Sequence, residues 1–378
     1  MSHIRERTTM LNVFCAPARY VQGRDATRAL AAELKRLGLS GKALVISSRT
    51  PRALLSDIWR ETFPAAGFSL EMFDFGGECS LAEIARGKAA AQRLSADVVI
   101  GVGGGKALDM ARAVASELDL PVACCPTTAS SDAPCSALSV IYTQEGVFEK
   151  IQFYKRNPDL VLVDSTVIAH APVRLLVAGM GDALATCFEA EAAIGAHRQN
   201  VVGGAATLAA AAIAKLCYHT LLEDGVAAIA ATRAKAVTPA LERIIEANTL
   251  LSGLGFESAG LAVAHSVHNG LTAASETHAF LHGEKVAFGT LTQLVLEGRP
   301  RALIDEVMGF CAAVGLPLTL AELGLASLTP QMARAIAERA VAPGESAHNE
   351  PFVVTAETVM DAIFAADALG AAFRARAG

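Results

Sequence analysis

The stretch VVIGVGGGKALDMARAV, residues 98–114, joins an apolar run to a helical pattern through three consecutive glycines. The apolar run is typical of a buried strand. Glycine lets the backbone approach an anion closely, and the helix that follows presents free N–H groups and the positive end of its dipole. Lys106 adds a positive charge. The stretch matches neither GxGxxG nor GxxxxGK[ST], so it predicts a phosphate site, with a simple tight turn as the alternative.

Strand-like and helix-like patterns alternate on both sides of this stretch, as far as about residue 164. The alternation predicts a parallel sheet with helices on both faces. The predicted strands are 42–48, 68–75, 97–103, 120–126 and 159–165, and the predicted helices are 25–38, 50–63, 81–94 and 106–118. A hairpin is predicted at 137–154, with its turn at residues 144–146.

Helical patterns rich in Ala and Leu dominate the chain after Asp164. Their predicted breaks are Pro172, Gly203-Gly204, Pro239, residues 253–255, Pro317 and Pro343. The predicted fold is therefore an α/β N-terminal domain with a parallel dinucleotide-binding sheet, residues 1–168, followed by an all-α C-terminal domain, residues 169–378.

The amino-acid composition limits which kinds of binding partner are expected. The 378 residues are 52% hydrophobic and 19% charged, which excludes a disordered chain and leaves little charge to cover the surface. We therefore expect some apolar surface to be buried between subunits of a homo-oligomer. The net charge of −6 argues against a nucleic-acid partner.

The expected location is the cytoplasm. Residues 1–10 are charged and polar where a secretion signal would be apolar. Residues 201–222 are mostly Ala and are interrupted by Lys215 and His219, so we expect a buried helix of a soluble protein rather than a membrane span. The eight cysteines form no regular framework and are expected to be reduced thiols.

Two stretches carry polar residues that could do chemistry. Thr127, Thr128, Ser130, Ser131 and Asp132 follow a predicted strand end, where α/β proteins place ligands. They could bind cofactor or substrate, or they could simply cap a turn.

Residues 261–289 hold four of the nine histidines, on two predicted helices joined around 272–276. His265 and His268 are spaced i,i+3, and His278 and His282 are spaced i,i+4, so each pair would share a helix face. One imidazole from each face could meet a carboxylate such as Asp182 and bind zinc. Buried structural histidines and a helix-dipole acid are the alternative, and spacing does not say which two histidines would bind.

Several long motifs resemble the metal-dependent alcohol and polyol dehydrogenases that include glycerol dehydrogenases and share a dehydroquinate synthase-like fold. The motifs are FGGECS (75–80), GVGGGKALD (101–109), SSDAPCSALSVIYT (130–143), GMGDALAT (179–186), VTPALERIIEANTLLSGLGFESAGLAVAHSVHNGLT (237–272), HGEKVAFGTLTQLVLE (282–297) and GESAHNEP (344–351). The resemblance extends over nearly the whole chain.

The resemblance implies a metal centre and a cofactor site. The metal ligands would be Asp182, His265 and His282, with His268 and His278 packing nearby and His278 a candidate neighbour of the substrate. Iron-dependent relatives carry a further histidine where this chain has Thr186, so three protein ligands with an open position point to zinc. Substrate contacts would be Asp132, which would hold a polyol hydroxyl, and Phe256. The residues matched to the dinucleotide site are Ser48, Gly103, Gly104, Gly105, Lys106, Asp109, Thr127, Thr128, Ser136, Leu138 and Tyr142.

One position departs from the pattern of glycerol dehydrogenases. They usually carry an Asp at the end of the strand that matches residues 42–48, where it accepts hydrogen bonds from the adenosine ribose. This chain has Ser48 followed by Arg49. Loss of an acid beside an Arg is the usual change toward NADP, so we expect NAD as cofactor with NADP also possible.

The implied reaction is the zinc-dependent, NAD(P)-linked interconversion of glycerol or a related 1,2-diol with its hydroxyketone. The alternatives are a glycerol-phosphate dehydrogenase or a dehydroquinate synthase-type enzyme on the same fold, and, from another class, a non-catalytic metabolite sensor. The family resemblance also implies an octamer, and no membrane partner is expected.

Overall fold

The computed structural model describes residues 10–377. Six parallel strands form one sheet, in the order β1-β8-β5-β4-β2-β3, and β6 and β7 pair antiparallel as a separate hairpin. The strands are β1 (Tyr20–Gly23), β2 (Gly41–Ser47), β3 (Phe68–Asp74), β4 (Val98–Gly103), β5 (Val122–Pro126), β6 (Leu138–Tyr142), β7 (Phe148–Phe153) and β8 (Leu160–Asp164).

Helices cover the sheet and make up the rest of the chain. They are α1 (Leu30–Arg36), α2 (Arg49–Ala65), α3 (Leu81–Leu94), α4 (Gly105–Glu117), α5 (Ser165–Ala169), α6 (Val173–Gly195), α7 (Leu208–Arg233), α8 (Pro239–Glu246), α9 (Ser252–Ala259), α10 (Val263–Leu271), α11 (His282–Leu296), α12 (Arg301–Val314), α13 (Pro330–Ala340) and α14 (Ala356–Ala377). The predicted fold class, an α/β part followed by a helical part, is confirmed.

The predicted strands and the hairpin are present, and one strand was missed. The hairpin turns where predicted, with Gly146 donating its N–H to the carbonyl of Thr143. Strand β1 escaped prediction because its sequence, YVQG, has no apolar run and it lies at the sheet edge, paired only with β8. The last strand ends at Asp164 and α6 begins at Val173, on either side of the predicted boundary; the division into two domains stays a prediction.

The register brings three loops to the same edge of the sheet. Gly103 pairs with Pro126, and Ser47 pairs with Val102. The residues that follow β2, β4 and β5 therefore lie side by side at the carboxyl ends of parallel strands, where α/β folds bind ligands.

Two predictions about the helical part were wrong. Residues 253–255 do not break a helix, because α8 continues through a π-helical turn, Ala247–Leu251, directly into α9. Residues 201–222 do not form one buried helix, because α7 begins only at Leu208, which is 92% exposed, and Leu216 is 54% exposed. In the described part of the chain, no helix has the length and apolarity needed to traverse a bilayer.

Helices α6 and α11 cross in direct backbone contact. A Cβ atom at Gly283 would lie 1.7 Å from the carbonyl oxygen of Ala178, and one at Gly181 would lie 2.3 Å from the carbonyl oxygen of Gly283. Neither glycine can be replaced without moving the helices apart. The crossing brings Asp182 on α6 next to His282, the first residue of α11.

The cysteines are all free thiols, as expected. Seven of the eight are buried and Cys15 is partly buried. Burial raises the pKa of the Cys124 thiol to about 11 and that of the Cys187 thiol to about 12, so these groups stay protonated at neutral pH. Residues 1–9, where no secretion signal is predicted, lie outside the described part.

Candidate active site

Asp182, His265 and His282 converge on one point. Oδ1 of Asp182 lies 3.0 Å from Nε2 of His282 and 3.4 Å from Nε2 of His265. The three side chains each offer a ligand atom, and these atoms all lie within 4.8 Å of one another. A tetrahedral zinc ion with bonds of ~2.0–2.1 Å holds its ligands roughly 3.3 Å apart, close to the two distances from Asp182.

The buried carboxylate supplies an independent sign that a cation fits here. Asp182 is fully buried, and its Oδ1 faces the Nε2 atoms of His282 and His265 without a well-aligned hydrogen bond to either. A buried carboxylate oxygen normally has a well-aligned partner, and a cation placed between these three atoms would supply one. The donor set of two imidazoles and one carboxylate is the set that zinc binds in catalytic sites with an open fourth position.

The electrostatics of the cluster favour an ionised Asp182. Burial alone would raise the pKa of its carboxyl, but the imidazoles of His282 and His265 together hold it below the ordinary value. For His265, burial lowers the pKa, and the carboxylates of Glu189 and Asp182 outweigh it and raise the pKa well above the usual range.

Each histidine of the cluster is oriented through its other nitrogen. Nδ1 of His265 lies 2.6 Å from Oε2 of Glu189, whose Oε1 also accepts the backbone N–H groups of Ala262 and His265 at 2.9 Å. Nδ1 of His282 lies 3.0 Å from Nε2 of His268. Both rings therefore turn Nε2 toward Asp182.

His268 and His278 have different surroundings. Burial, followed by the charges of His282 and Lys285, lowers the pKa of His268 well below its ordinary value, so its ring is neutral and can accept a hydrogen bond. The predicted helical pairing of His278 with His282 is wrong, because His278 lies in a short 3-10 turn, Ser275–Ala279, before α11 begins. Its exposed ring bonds the carbonyl of Thr272.

Glu189 was missed in the sequence although a signal existed. It follows Asp182 by seven residues on α6, two helical turns later, and is fully buried. A buried acid on the same helix face as a candidate ligand is the type of residue that orients a metal-binding imidazole.

Asp132 lies beside the cluster. Its backbone N–H donates to Oδ2 of Asp182 at 3.2 Å, and its Oδ2 accepts from the hydroxyl of Ser252 at 2.9 Å. Burial, followed by the negative charge of Asp182, raises the pKa of the Asp132 carboxyl well above its ordinary value. Phe256 is buried in α9, one turn after Ser252.

The predicted phosphate loop has the expected form. Strand β4 ends at Gly103, whose φ of +153° is a conformation that side chains rarely adopt, and Gly104 is the N-cap of α4. A Cβ at Gly103 would approach that of Ala107 to 2.9 Å, so the close strand-to-helix turn requires glycine. Thr127, after β5, donates its N–H to the carbonyl of Gly103 at 3.0 Å.

Lys106 is held by a residue that the sequence did not single out. Its Nζ lies 2.6 and 2.7 Å from the two carboxylate oxygens of Glu78, and it sits 4.9 Å from the centre of the Tyr142 ring. A phosphate at the loop would compete with Glu78 for this charge. Nothing in the motif FGGECS beyond the presence of an acid indicated the contact.

The remaining predicted cofactor residues divide into open and buried positions. Ser48, Thr127, Thr128, Leu138 and Tyr142 are partly accessible along the loops that follow β2 and β5 and along β6. Asp109 and Ser136 are buried: the Asp109 carboxylate is paired with Arg112 at 2.5 Å, and the Ser136 hydroxyl donates to the carbonyl of Ala133. These two contacts support the loop and helix from inside, and contact with a dinucleotide stays a prediction for every residue of the set.

A parallel sheet with a glycine-rich loop, next to a two-histidine, one-carboxylate cluster on helices, is the arrangement expected of a metal- and nucleotide-dependent enzyme. The model of the iron-containing alcohol dehydrogenases matches residues 17–165. The chain is 51% identical to a glycerol dehydrogenase of Pseudomonas putida over 95% of this chain and 98% of that protein. It is 50% identical to a glycerol dehydrogenase of Thermotoga maritima over 96% of this chain and 98% of that protein.

A solved structure agrees with the sequence relatives. The glycerol dehydrogenase of Schizosaccharomyces pombe superposes with a TM-score of 0.94 at 39% identity, covering 98% of this chain and 94% of that one. The chain therefore belongs to the iron-containing alcohol dehydrogenase family, whose members are alcohol and polyol oxidoreductases. Within that family its similarity is to the glycerol dehydrogenases.

Proposed function

We propose that this protein oxidises glycerol or a related 1,2-diol to the corresponding hydroxyketone with NAD, at a zinc centre held by Asp182, His265 and His282. The observation that carries the proposal is the convergence of these three side chains, with the buried Oδ1 of Asp182 facing both imidazoles without a well-aligned hydrogen bond to either. The identity of about half the residues to glycerol dehydrogenases over almost the whole chain supports glycerol as substrate.

The chain's own residues account for binding and orientation. Two imidazoles and one carboxylate would hold the ion and leave one position open to an alcohol oxygen. The main-chain N–H of Asp132 donates to Asp182. The carboxylate of Asp132 would accept a hydrogen bond from the hydroxyl next to the reacting carbon. A site that hydrogen-bonds this second hydroxyl strongly rejects alcohols that lack it.

The proposed metal ion and nicotinamide cofactor would supply the reactive groups. When bound, a zinc ion would supply a Lewis acid that lowers the pKa of the alcohol, and a nicotinamide cofactor would supply the hydride acceptor. The glycine-rich loop and the N-terminus of α4 would hold the cofactor's pyrophosphate, with Lys106 released from Glu78 to assist.

The cofactor preference is proposed to be relaxed toward NADP. Ser48 is the N-cap of α2, and Arg49 is exposed at the start of that helix. The next arginine, Arg52, is paired with Asp74 at the end of β3. A 2′-phosphate would find a helix N-terminus here, and the guanidinium of Arg49, which makes no ion pair with any residue of the described range 10–377. A preference for NAD above ~100-fold in kcat/KM, about 2.7 kcal/mol, would contradict this.

Self-association into a homo-oligomer is proposed on the basis of exposed apolar side chains. Leu208, Leu216 and Val226 of α7 are 92%, 54% and 57% exposed, and Phe153 of the hairpin is 61% exposed. Self-association would bury apolar groups of this kind between subunits. Light scattering coupled to size exclusion measures the state, and a mass near 39.2 kDa would contradict the proposal.

The experiment that tests the function is a substrate panel. Glycerol, 1,2-propanediol, glycerol phosphate and matching hydroxyketones are assayed with NAD and NADP, before and after chelation and zinc replacement. Turnover of diols that is lost on chelation and restored by zinc supports the proposal. Preferential turnover of glycerol phosphate would favour the phosphate-specific alternative, and absence of turnover with all substrates would favour the metabolite sensor.

A further inference from the structure

A chain of buried hydroxyls ends on the carboxylate of Asp132. Oγ1 of Thr186 lies 2.8 Å from Oγ of Ser252, and Ser252 donates to Oδ2 of Asp132 at 2.9 Å. Thr186 and Ser252 are 1% and 0% exposed, and Asp132 is 8% exposed. Because Ser252 has one hydrogen and gives it to Asp132, Thr186 must be the donor to Ser252.

The backbone around Ser252 is unusually well fixed. Ser252 directly follows the π-helical turn, and π-turns inside helices occur frequently at functional sites. In that turn, the amide of Asn248 donates to the carbonyls of Ala129 and Leu176 at 2.9 and 3.1 Å. The turn is thereby fastened both to the loop that carries Asp132 and to α6, which carries Thr186.

Asp132 is consequently held from two sides. Its main chain bonds Asp182, and its Oδ2 bonds Ser252. Its Oδ1 makes no hydrogen bond to any described residue. Unlike Oδ1 of Asp182, Oδ1 of Asp132 is not completely enclosed by protein atoms. Oδ1 is therefore the oxygen of Asp132 that is left for a ligand.

Thr186 stands one helical turn after Asp182, on the same face of α6. Its hydroxyl could in principle face the metal cluster. The structure shows instead that the hydroxyl is used by Ser252, and that the Thr186 methyl group packs at Gly255, where an added Cβ would lie 2.4 Å from it.

We propose that Thr186 and Ser252 are positioning residues that fix the rotamer of Asp132. Its Oδ1 then accepts a hydrogen bond from the hydroxyl next to the reacting carbon, and this contact sets the preference for vicinal diols over simple alcohols. The proposal rests on the proposed function, in which Asp132 binds that hydroxyl. It assigns to Thr186 and Ser252 a role in substrate selection and none in holding the ion.

The test compares two alcohols that share a secondary carbinol. The kcat/KM for 1,2-propanediol is divided by that for 2-propanol, which lacks the neighbouring hydroxyl. Ser252→Ala should lower this ratio about 10-fold, near the upper value of one ordinary hydrogen bond, mainly through a higher KM for the diol. Thr186→Val, which keeps the shape but removes the hydroxyl, should lower it about 3-fold, and Thr186→Ser should restore it.

Two controls separate positioning from packing. Thr290→Val removes a buried hydroxyl that bonds the carbonyl of Val286 on α11, without a contact to Asp132, and should leave the ratio unchanged. Adding Thr186→Val to Ser252→Ala should lower the ratio no further, because Thr186 acts through Ser252. Zinc content and melting temperature are measured for every variant.

The outcomes distinguish this proposal from the proposed function. An unchanged ratio in folded, zinc-loaded Ser252→Ala and Thr186→Val, with a wild-type preference for the diol, overturns the positioning role alone. An equal fall in Thr290→Val also overturns it. A wild-type protein that shows no preference for the diol, or a folded, zinc-loaded Asp132→Ala variant that keeps it, overturns the diol-binding role of Asp132 in the proposed function and the positioning role with it. Should Ser252→Ala fail to fold, the comparison of Thr186→Val with Thr186→Ser decides.

Discussion

The carboxylate of Glu189 lies 2.6 Å from Nδ1 of His265 and leaves the Nε2 of that ring pointing at Asp182. Glu189 also accepts two backbone N–H groups at the start of α10, so the same acid positions the helix and the ring. An orienting carboxylate of this type raises the basicity of a metal-binding imidazole.

Glu189→Gln should weaken zinc binding about 10- to 100-fold, because the neutral amide orients the ring less firmly and makes it less basic. Competition with a chelator of known affinity measures the effect. His278→Ala is the matched control, because His278 is exposed and bonds only the carbonyl of Thr272 among the described groups. Equal zinc affinity in the Glu189→Gln and wild-type proteins would contradict the assignment.

Gly283→Ala should destabilise the protein by ~3 kcal/mol or more and weaken zinc binding, because the new methyl group would overlap the carbonyl of Ala178 and push α11 from α6. Thermal unfolding and zinc titration measure both effects. Gly309→Ala, in α12 with open space around it, should instead be neutral or stabilise by ~0.5–1 kcal/mol. A fully stable Gly283→Ala variant that binds zinc normally would show that the crossing tolerates separation.

Ser48→Asp should lower kcat/KM for NADP at least ~10-fold, about 1.4 kcal/mol, while that for NAD rises or stays constant. The new carboxylate would repel a 2′-phosphate and accept hydrogen bonds from an unphosphorylated ribose. Ser69→Asp adds the same charge at the opposite end of the sheet, at the start of β3, and should change neither value. Similar losses with both cofactors would mean that Ser48 does not discriminate between them.

Glu350→Gln should remove a pH dependence of stability. Burial, followed by the charges of Glu297 and Glu189, raises the pKa of Glu350 to about 8. Between its ordinary pKa, 4.5, and about 8, the folded state holds a proton that the unfolded chain has lost, so wild-type stability falls as pH rises through this window.

The free energy of unfolding of Glu350→Gln, taken relative to wild type, should therefore be larger at pH 9 than at pH 5 by on the order of 2–4 kcal/mol. Urea unfolding at the two pH values measures the difference. Glu338→Gln, on the exposed side of α13, is the control and should follow the wild-type profile. A pH profile of Glu350→Gln that parallels wild type would contradict the buried-acid explanation.

Periodicity and glycine placement were sufficient to predict most of the α/β part. Apolar runs such as 97–103 are local signals, because a central parallel strand is buried on both faces. Strand β1 lacked that signal because its four residues, YVQG, contain no apolar run. The wrong break at 253–255 has the opposite cause: these glycines allow close packing of α9, and a Cβ at Gly255 would lie 2.4 Å from the side chain of Thr186.

Only part of the candidate site could be predicted from the sequence. Asp182, His265 and His282 were brought together by the family resemblance, and the spacing of the histidines alone wrongly paired His278 with His282. Ser252 and Glu78 gave no sequence signal, because each acts through a partner far away in the chain: Ser252 on Asp132, and Glu78 on Lys106. Contacts of this kind depend on tertiary structure.

The hydrogen bond from the Asp132 N–H to Asp182 joins the loop beyond β5 to the metal-site carboxylate. That loop also contains Thr127 and Thr128, next to the glycine-rich turn. The proposed metal site and the proposed nucleotide site would therefore share one structural element, and coupling between two binding equilibria is reciprocal. If the ion tightens nucleotide binding by some factor, the nucleotide tightens ion binding by the same factor, so a preparation dialysed to equilibrium should retain more metal when its coenzyme is present.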